Sequence, residues 1–417
     1  MNISYKKLIL LALLPLSLSA TTLKEMLNIT LKNNANIKSM KYNIESKKEI
    51  LKSVSNTLNP TVNIGANYNR LDLDVRSTQI GATTLGYVRF GADLYDGGKN
   101  RSIKRQKGFE LESTKLNTKT STKEILLQVV TLFYQIKIID ANLLAYKDKS
   151  KALFAEYRRE KQKYDLKMIT IDEVLKLRSE YESNKYIIDD LKYQRESLYQ
   201  NLSLLTGKNI TSVDDSKLPD LRNIKYQPSS DVKALQAGLK AADESITQVN
   251  AIKKPKIRLE DTLSVYHYND YNEALLKDLP NQQNQFMLSF SLNLYDTSSS
   301  YKKQSAMLAK LVKKEQLNYV KSKEKIVFDL AKKKLLTQKA KINSAKSALE
   351  MANSVYDIIL TKYQNGIVDN IAYLDALSKK TINRALYNQA LNNYEIAKAN
   401  YYFSSGVDYQ EVLKMKF

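Results

Sequence analysis

Few residues of this chain are equipped for covalent or metal chemistry. Its 417 residues include one histidine, His267, and no cysteine. Thiol nucleophiles, disulfides, cysteine-based zinc or iron–sulfur sites, paired-histidine metal sites and a Ser-His-Asp triad are therefore excluded, since a lone imidazole cannot do several jobs. Asp96-Gly97-Gly98-Lys99 resembles a phosphate loop only superficially. No glycine stands five positions before Gly98, and Asn100 takes the place of the Ser or Thr that would hold magnesium. No catalytic, cofactor or metal site is expected, and the chain reads as a non-enzyme. What stands out is a pair of acids at similar places in sequence, Glu173 two positions before Leu175 and Asp375 one after Leu374. Near a helix start an acid gains about 0.3–1 kcal/mol from the macrodipole, so a solvated side chain is the plain reading. Their recurrence in both halves favours a shared role over two unrelated solvated side chains.

The elements that would position these acids are long. Only 11 Gly and 6 Pro punctuate the chain. Each of the stretches 99–163 and 300–364 could run as one helix of ~65 residues, or ~100 Å. In the second, Phe328, Ala331, Leu335, Ile342, Ala345, Leu349, Ala352, Tyr356, Ile359 and Tyr363 keep a three-four alternation, broken only by Gln338. The return helix of the first repeats the pattern through Val174, Leu177, Tyr181, Ile188, Leu191, Leu198, Leu202 and Leu205, with Asn184 and Arg195 intruding. A heptad pattern held this long is a coiled-coil seam. The connections near 167–170 and 366–370 are short, so each helix pair folds as an antiparallel hairpin.

The chain is a duplication. Leu94-Tyr95-Asp96 matches Leu294-Tyr295-Asp296, while Tyr164 and Tyr363, Leu175 and Leu374, and Gly207 and Gly406 all share an offset of 199 residues. The expected layout is a signal peptide over 1–20 and a first repeat over 21–207, with an opening helix, strands at about 61–76 and 84–95 and a helical hairpin over 99–206. A linker over 208–228 follows. The second repeat covers 229–407, with an opening helix, strands at about 256–268 and 285–295 and a hairpin over 299–405, and 408–417 is a tail. The signal rests on Lys6 and Lys7, an apolar run from Leu8 to Leu16, and small residues before Thr21. No later apolar run is long enough for a spanning helix, so any membrane crossing must use strands.

Those strands show the right period. Val62, Ile64, Ala66 and Tyr68, with a phase flip to Leu71, Leu73 and Val75, form one run. Val88, Phe90, Ala92 and Leu94 form another, and Phe286, Leu288, Phe290, Leu292 and Leu294 a third. Ile257, Leu259, Leu263 and Val265 make a weaker run that contains Asp261. Ten-residue segments of alternating polarity are what a membrane barrel uses. Tyr266, Tyr268 and Tyr271, with Tyr87 in the first repeat, would suit an interfacial belt. Four strands cannot close a barrel, whose minimum is about eight. Three chains would bring twelve. The formal charge of +22 is spread along the helices as solvated lysines, including Lys313-Lys314 and Lys332-Lys333-Lys334, and nucleic acid is not expected as a partner.

With these features the chain resembles the TolC-like outer membrane efflux proteins from Thr21 to about Val407. The resemblance lies in Leu23-Lys24-Glu25-Met26-Leu27 through Asn33-Asn34, in Leu94-Tyr95-Asp96-Gly97-Gly98-Lys99, and in Tyr363-Gln364-Asn365-Gly366 running into Tyr373-Leu374-Asp375-Ala376. It implies a homotrimer in the cell outer membrane, mainly α with a small β part: an α-barrel of long coiled-coil hairpins crossing the periplasm and a trimeric transmembrane β-barrel with four strands per chain. It implies an exit duct for a tripartite efflux pump or a type I secretion system. The partners would be outer membrane lipid, a periplasmic adaptor and, through it, an inner-membrane transporter. By position it makes Glu173 and Asp375 the constriction acids, with Lys167, Gly366, Tyr164 and Tyr363 at the hairpin turns and Asp96, Gly97, Gly98 and Asp296 at the strand-to-helix junctions. Ala372 stands where another tip acid often sits, and Lys167 replaces the turn glycine that Gly366 keeps. The competing readings are a secreted coiled-coil stalk, or a periplasmic adaptor without a barrel.

Overall fold

The computed structural model describes residues 21–71, 79–219, 224–274 and 276–408. The signal segment 1–20, Leu73 and Val75 of the first strand run, and residues 409–417 of the tail lie outside them.

The chain opens with α1 (Leu23–Asn33), started by a capping box in which Thr22 Oγ1 accepts from the Glu25 N–H and Glu25 Oε2 accepts from the Thr22 N–H. Its helical period buries Leu23, Met26, Leu27 and Thr30. The opening stretch is not one helix, because Asn34 divides it from α2 (Ala35–Ser53). The Asn34 Oδ1 accepts from Ile37 N–H at 3.0 Å and its Nδ2 donates to the Leu205 carbonyl at 2.7 Å. Strands β1 (Thr61–Arg70) and β2 (Ala82–Tyr95) follow, then the helical pair α3 (Lys99–Asp165) and α4 (Ile171–Thr206). The second repeat brings α5 (Ser230–Asn250), a short 3-10 turn, β3 (Lys256–Asn269), β4 (Gln282–Ser291), α6 (Thr297–Gln364) and α7 (Asn370–Ser404). Leu292 and Leu294 continue the alternation of β4 in sequence but lie beyond its end.

By packing, the described chain forms two compact units that do not follow the repeat: residues up to 38, 122–227 and 326–408 make one, and 39–121 with 228–325 make the other. The first unit is helical. One of its cores joins α1 to α3, α4 and α7 through Leu23, Met26, Val130, Phe133, Leu202, Ala399 and Phe403. The heptad positions of α4 are its buried face: Val174, Leu177, Asn184, Ile188, Leu191 and Leu202 are all buried. Asn184, polar in that seam, donates its Nδ2 to the Tyr146 carbonyl at 3.0 Å. Arg195, the other intruder, reaches Asp140 at 2.5 Å and lies over the Tyr199 ring.

The second unit contains the sheet, antiparallel throughout in the order β1-β2-β3-β4, so the two strand pairs of the two repeats join at β2 and β3. The outer edges of β1 and β4 carry no further strand among the described residues. Each helix after the sheet starts on an aspartate. Asp96 accepts from the N–H of Gly98 at 2.9 Å and of Asn100 at 2.5 Å, and Asp296 accepts from the Ser298 N–H at 2.9 Å. Gly97, at φ 72°, sits so close to the Ala251–Lys254 segment that a β-carbon would come within 2.7 Å of Lys254 Cβ. The second junction manages with Thr297 and Ser298 in place of glycine.

Candidate functional site: hairpin turns and sheet faces

The two hairpin turns share one hydrogen-bond scheme. After α3, the Lys167 N–H donates to the Tyr164 carbonyl at 2.8 Å and the Met168 N–H to that of Lys163 at 2.9 Å. After α6, the Gly366 N–H donates to Tyr363 at 3.0 Å and the Ile367 N–H to Lys362 at 2.9 Å. This is the Schellman end, which needs a left-handed residue at its centre. Lys167 supplies it at φ 61° and Gly366 at φ 70°. Nothing lies within 4 Å of a β-carbon built on Gly366, so space imposes no glycine there and only the backbone angle favours it.

The same turns give their tyrosines different fates. Tyr164 is exposed, whereas Tyr363 is buried, stacked on Tyr373 with centroids 4.8 Å apart. Tyr373 also meets Tyr356 at 6.2 Å. The Tyr363 hydroxyl donates to Glu160 Oε1 at 3.3 Å, and the Arg159 guanidinium lies 5.0 Å over its ring. Glu160, itself buried, is also reached by Lys163 at 2.8 Å. Burial pushes the phenols of Tyr363 and Tyr373 well above the usual tyrosine range, and burial likewise raises the neighbouring Glu156 carboxyl against the pull of Arg159. Leu153 of α3, Leu177 of α4 and Ala376 and Leu377 of α7 complete this core, so all four long helices meet in it. Glu160, Arg159 and Lys380, which lies 3.9 Å over Tyr356, escaped the sequence reading, and Tyr373 entered it only as part of a motif. The available signal was the seven-residue spacing of Tyr356 and Tyr363 on the α6 seam.

The starts of α4 and α7 lie side by side. Asn370 is buried at the start of α7, with its Nδ2 donating to the Glu173 carbonyl at 3.2 Å. Asp369 caps α7 through the Ala372 N–H, while Thr170 makes no side-chain cap on α4. Glu173 therefore sits in the first turn of α4, and Asp375 one turn further along the neighbouring α7. Neither carboxylate stands alone. Lys176 reaches Glu173 at 3.2 Å and Asp172 at 3.5 Å, and Lys379 reaches Asp375 at 2.8 Å. The Thr170 hydroxyl and then Lys176 hold the Asp172 carboxyl below the usual range.

Register divides the sheet into two unlike faces. One carries the rows Val62, Phe90, Asp261 and Phe286, then Ile64, Val88 and Leu263, then Leu259 with Leu288 and Ile257 with Phe290. Its side chains are uncovered: Val62 is 71% exposed, Ile64 85%, Phe286 69% and Phe290 67%. The other face carries Arg89, Asp93, Arg258 and Glu260, with Arg258 bridging Asp93 at 2.7 Å and Glu260 at 2.9 Å. Tyr87 stands opposite Ser264, and Tyr266 and Tyr268, stacked 5.7 Å apart, continue the alternation from it. Tyr87, Tyr266 and Tyr268 thus belong to the polar face. Tyr68 lies on the apolar face, in the row of Thr84 and His267. No helix of the described residues is long and apolar enough to cross a membrane, and no cluster among them could hold a metal ion.

Comparison with known proteins bears on this arrangement. Residues 26–208 match the family model described as outer membrane efflux protein. The outer membrane channel CmeC of Campylobacter jejuni superposes with a TM-score of 0.81 at 15% identity, covering 94% of this chain and 89% of that one. The outer membrane protein VceC of Vibrio cholerae gives 0.78 at 13%, covering 92% and 96%. The MtrE outer membrane channel of Neisseria gonorrhoeae, solved in its open state, gives 0.75 at 16%, covering 92% and 88%. At these identities the likeness is one of fold. No curated sequence matches.

Proposed function

We propose that this chain, a TolC-like outer membrane efflux protein of the cell outer membrane, is the exit duct of a tripartite efflux pump or a type I secretion system. It is a passive conduit and not an enzyme. The observation that carries the reading is the sheet: one face apolar and uncovered, the other polar and salt-bridged, with both edges open. In lipid an open edge leaves backbone groups without partners, so β1 and β4 need neighbours. Three copies supply twelve strands, enough to close a barrel with the apolar face on outer membrane lipid and the polar face on water. A coiled-coil stalk or an adaptor has no use for such a sheet.

The helical hairpins form the periplasmic tunnel, with Glu173 and Asp375 as its constriction acids. Leu166, Met168, Ile171, Ile367 and Ile371 are all exposed beside the hairpin turns. They suit the docking of a periplasmic adaptor that couples the duct to an inner-membrane transporter. Changing Leu166 and Ile367 together to Asp tests this. Export from cells, read as loss of a fluorescent dye, should fail, while the purified variant still conducts in planar bilayers. Export that continues undiminished would remove the turns from adaptor docking.

A further inference from the structure

The charge at the hairpin starts is balanced. Residues 165–178 hold Asp165, Asp172 and Glu173 against Lys167, Lys176 and Arg178, and residues 369–380 hold Asp369 and Asp375 against Lys379 and Lys380. The placement is local as well as numerical. Lys176 lies within 3.5 Å of two acids and Lys379 within 2.8 Å of the third. Lys176 is, at the 199-residue offset, the repeat counterpart of Asp375 itself, and Ala372 is the counterpart of Glu173. So the duplication puts a cation in one hairpin where the other has its acid.

We infer that Lys176 and Lys379 set the ion preference of the duct by cancelling Glu173 and Asp375, so that the tip admits anionic solutes as readily as cationic ones. The inference rests on the duct reading above. The pairs are exposed, and as links between side chains they contribute little to stability. Their electrostatic effect does not depend on that. Opposite charges about 3 Å apart act as a dipole on an ion more than a few times that distance away, so their fields largely cancel even inside the Debye length of about 8 Å at physiological salt. Lys176 offsets one of its two neighbouring acids and Arg178 and Lys167 the rest, so each hairpin start as a whole gives a passing ion little net negative field, whereas bare carboxylates would concentrate cations.

The test is the zero-current potential of the purified protein in a planar bilayer under a potassium chloride gradient. For the unaltered protein it should lie near zero. Lys176→Gln with Lys379→Gln should move it toward the potassium equilibrium value, a several-fold rise in the cation-to-anion permeability ratio. Lys176→Arg with Lys379→Arg should restore the original value. Glu173→Gln with Asp375→Gln should move it the opposite way. All are exposed or half-exposed helix positions, and the thermal transition of each variant reports folding. A conducting channel whose potential ignores both lysine and acid changes overturns this inference and leaves the duct standing. A folded oligomer that never conducts overturns the duct reading, and this inference with it.

Discussion

Lys167 and Gly366 hold the same left-handed backbone conformation, at φ 61° and 70°, at the same step of two helical turns 199 residues apart. Lysine is strained there and glycine is not. Lys167→Gly should therefore raise stability by about 1 kcal/mol, and Gly366→Lys should lower it by a similar amount. Thermal unfolding of the two variants in detergent checks this. Equal transitions for Lys167→Gly and the original would mean that the turn relaxes around the side chain.

The Tyr363 hydroxyl contributes one hydrogen bond to the carboxylate of Glu160, which Lys163 and Arg159 also reach. Tyr363→Phe should cost about 1 kcal/mol, since Glu160 keeps its cations. Tyr363→Ala also removes the stack on Tyr373 and the surface under Arg159, and should cost about 3–5 kcal/mol. A loss as large for Phe as for Ala would place the energy in the hydroxyl and contradict the packing account.

Glu156 gives a pH dependence with a definite sign. Burial raises its folded-state pKa above the ordinary value of 4.5. The charged form is thus disfavoured by folding: the acid form favours the fold below about 4.5, and that contribution is lost as pH rises through the raised value. Glu156→Gln should flatten the stability profile just above pH 4.5 and leave the protein no less stable at neutral pH. The melting temperature against pH reads this directly, and a variant destabilised at neutral pH would show that the pairing with Arg159 outweighs burial.

Asp261 lies between Phe90 and Phe286 in a row of the apolar face. If that face meets lipid, Asp261→Leu should stabilise the folded protein in bilayers by roughly 1 kcal/mol or more, because a carboxylate is costly there. Urea unfolding from liposomes measures it. A destabilised variant would mean that the acid has a partner in the assembly.

The sequence made the repeated elements legible because periodicity records burial. The heptads of α4 and α6 are buried or half-buried, more so than the rest of those helices, and the alternation of β1 through β4 separates the two sheet faces. Positions decided by contact across the fold were not legible. Asn34 splits the opening helix because its side chain finds the Leu205 carbonyl, 171 residues away. Tyr164 and Tyr363 match in sequence, yet one is exposed and the other is in a core, because only the second meets Tyr373 and Glu160. The period of β3 did not say which face its tyrosines share; register with β2 put them on the face of Arg258. Glu173 and Asp375 were visible as recurrent acids, while nothing in the sequence singled out Lys176 and Lys379 until their distances were known.

In the outer membrane two further copies should close the edges of β1 and β4. Native mass of the protein extracted in detergent from separated envelope membranes tests it most directly. A species of three chains recovered from the outer membrane fraction is the expected result. A monomer, or a soluble species absent from that fraction, would contradict the account and return the helical hairpins to a stalk.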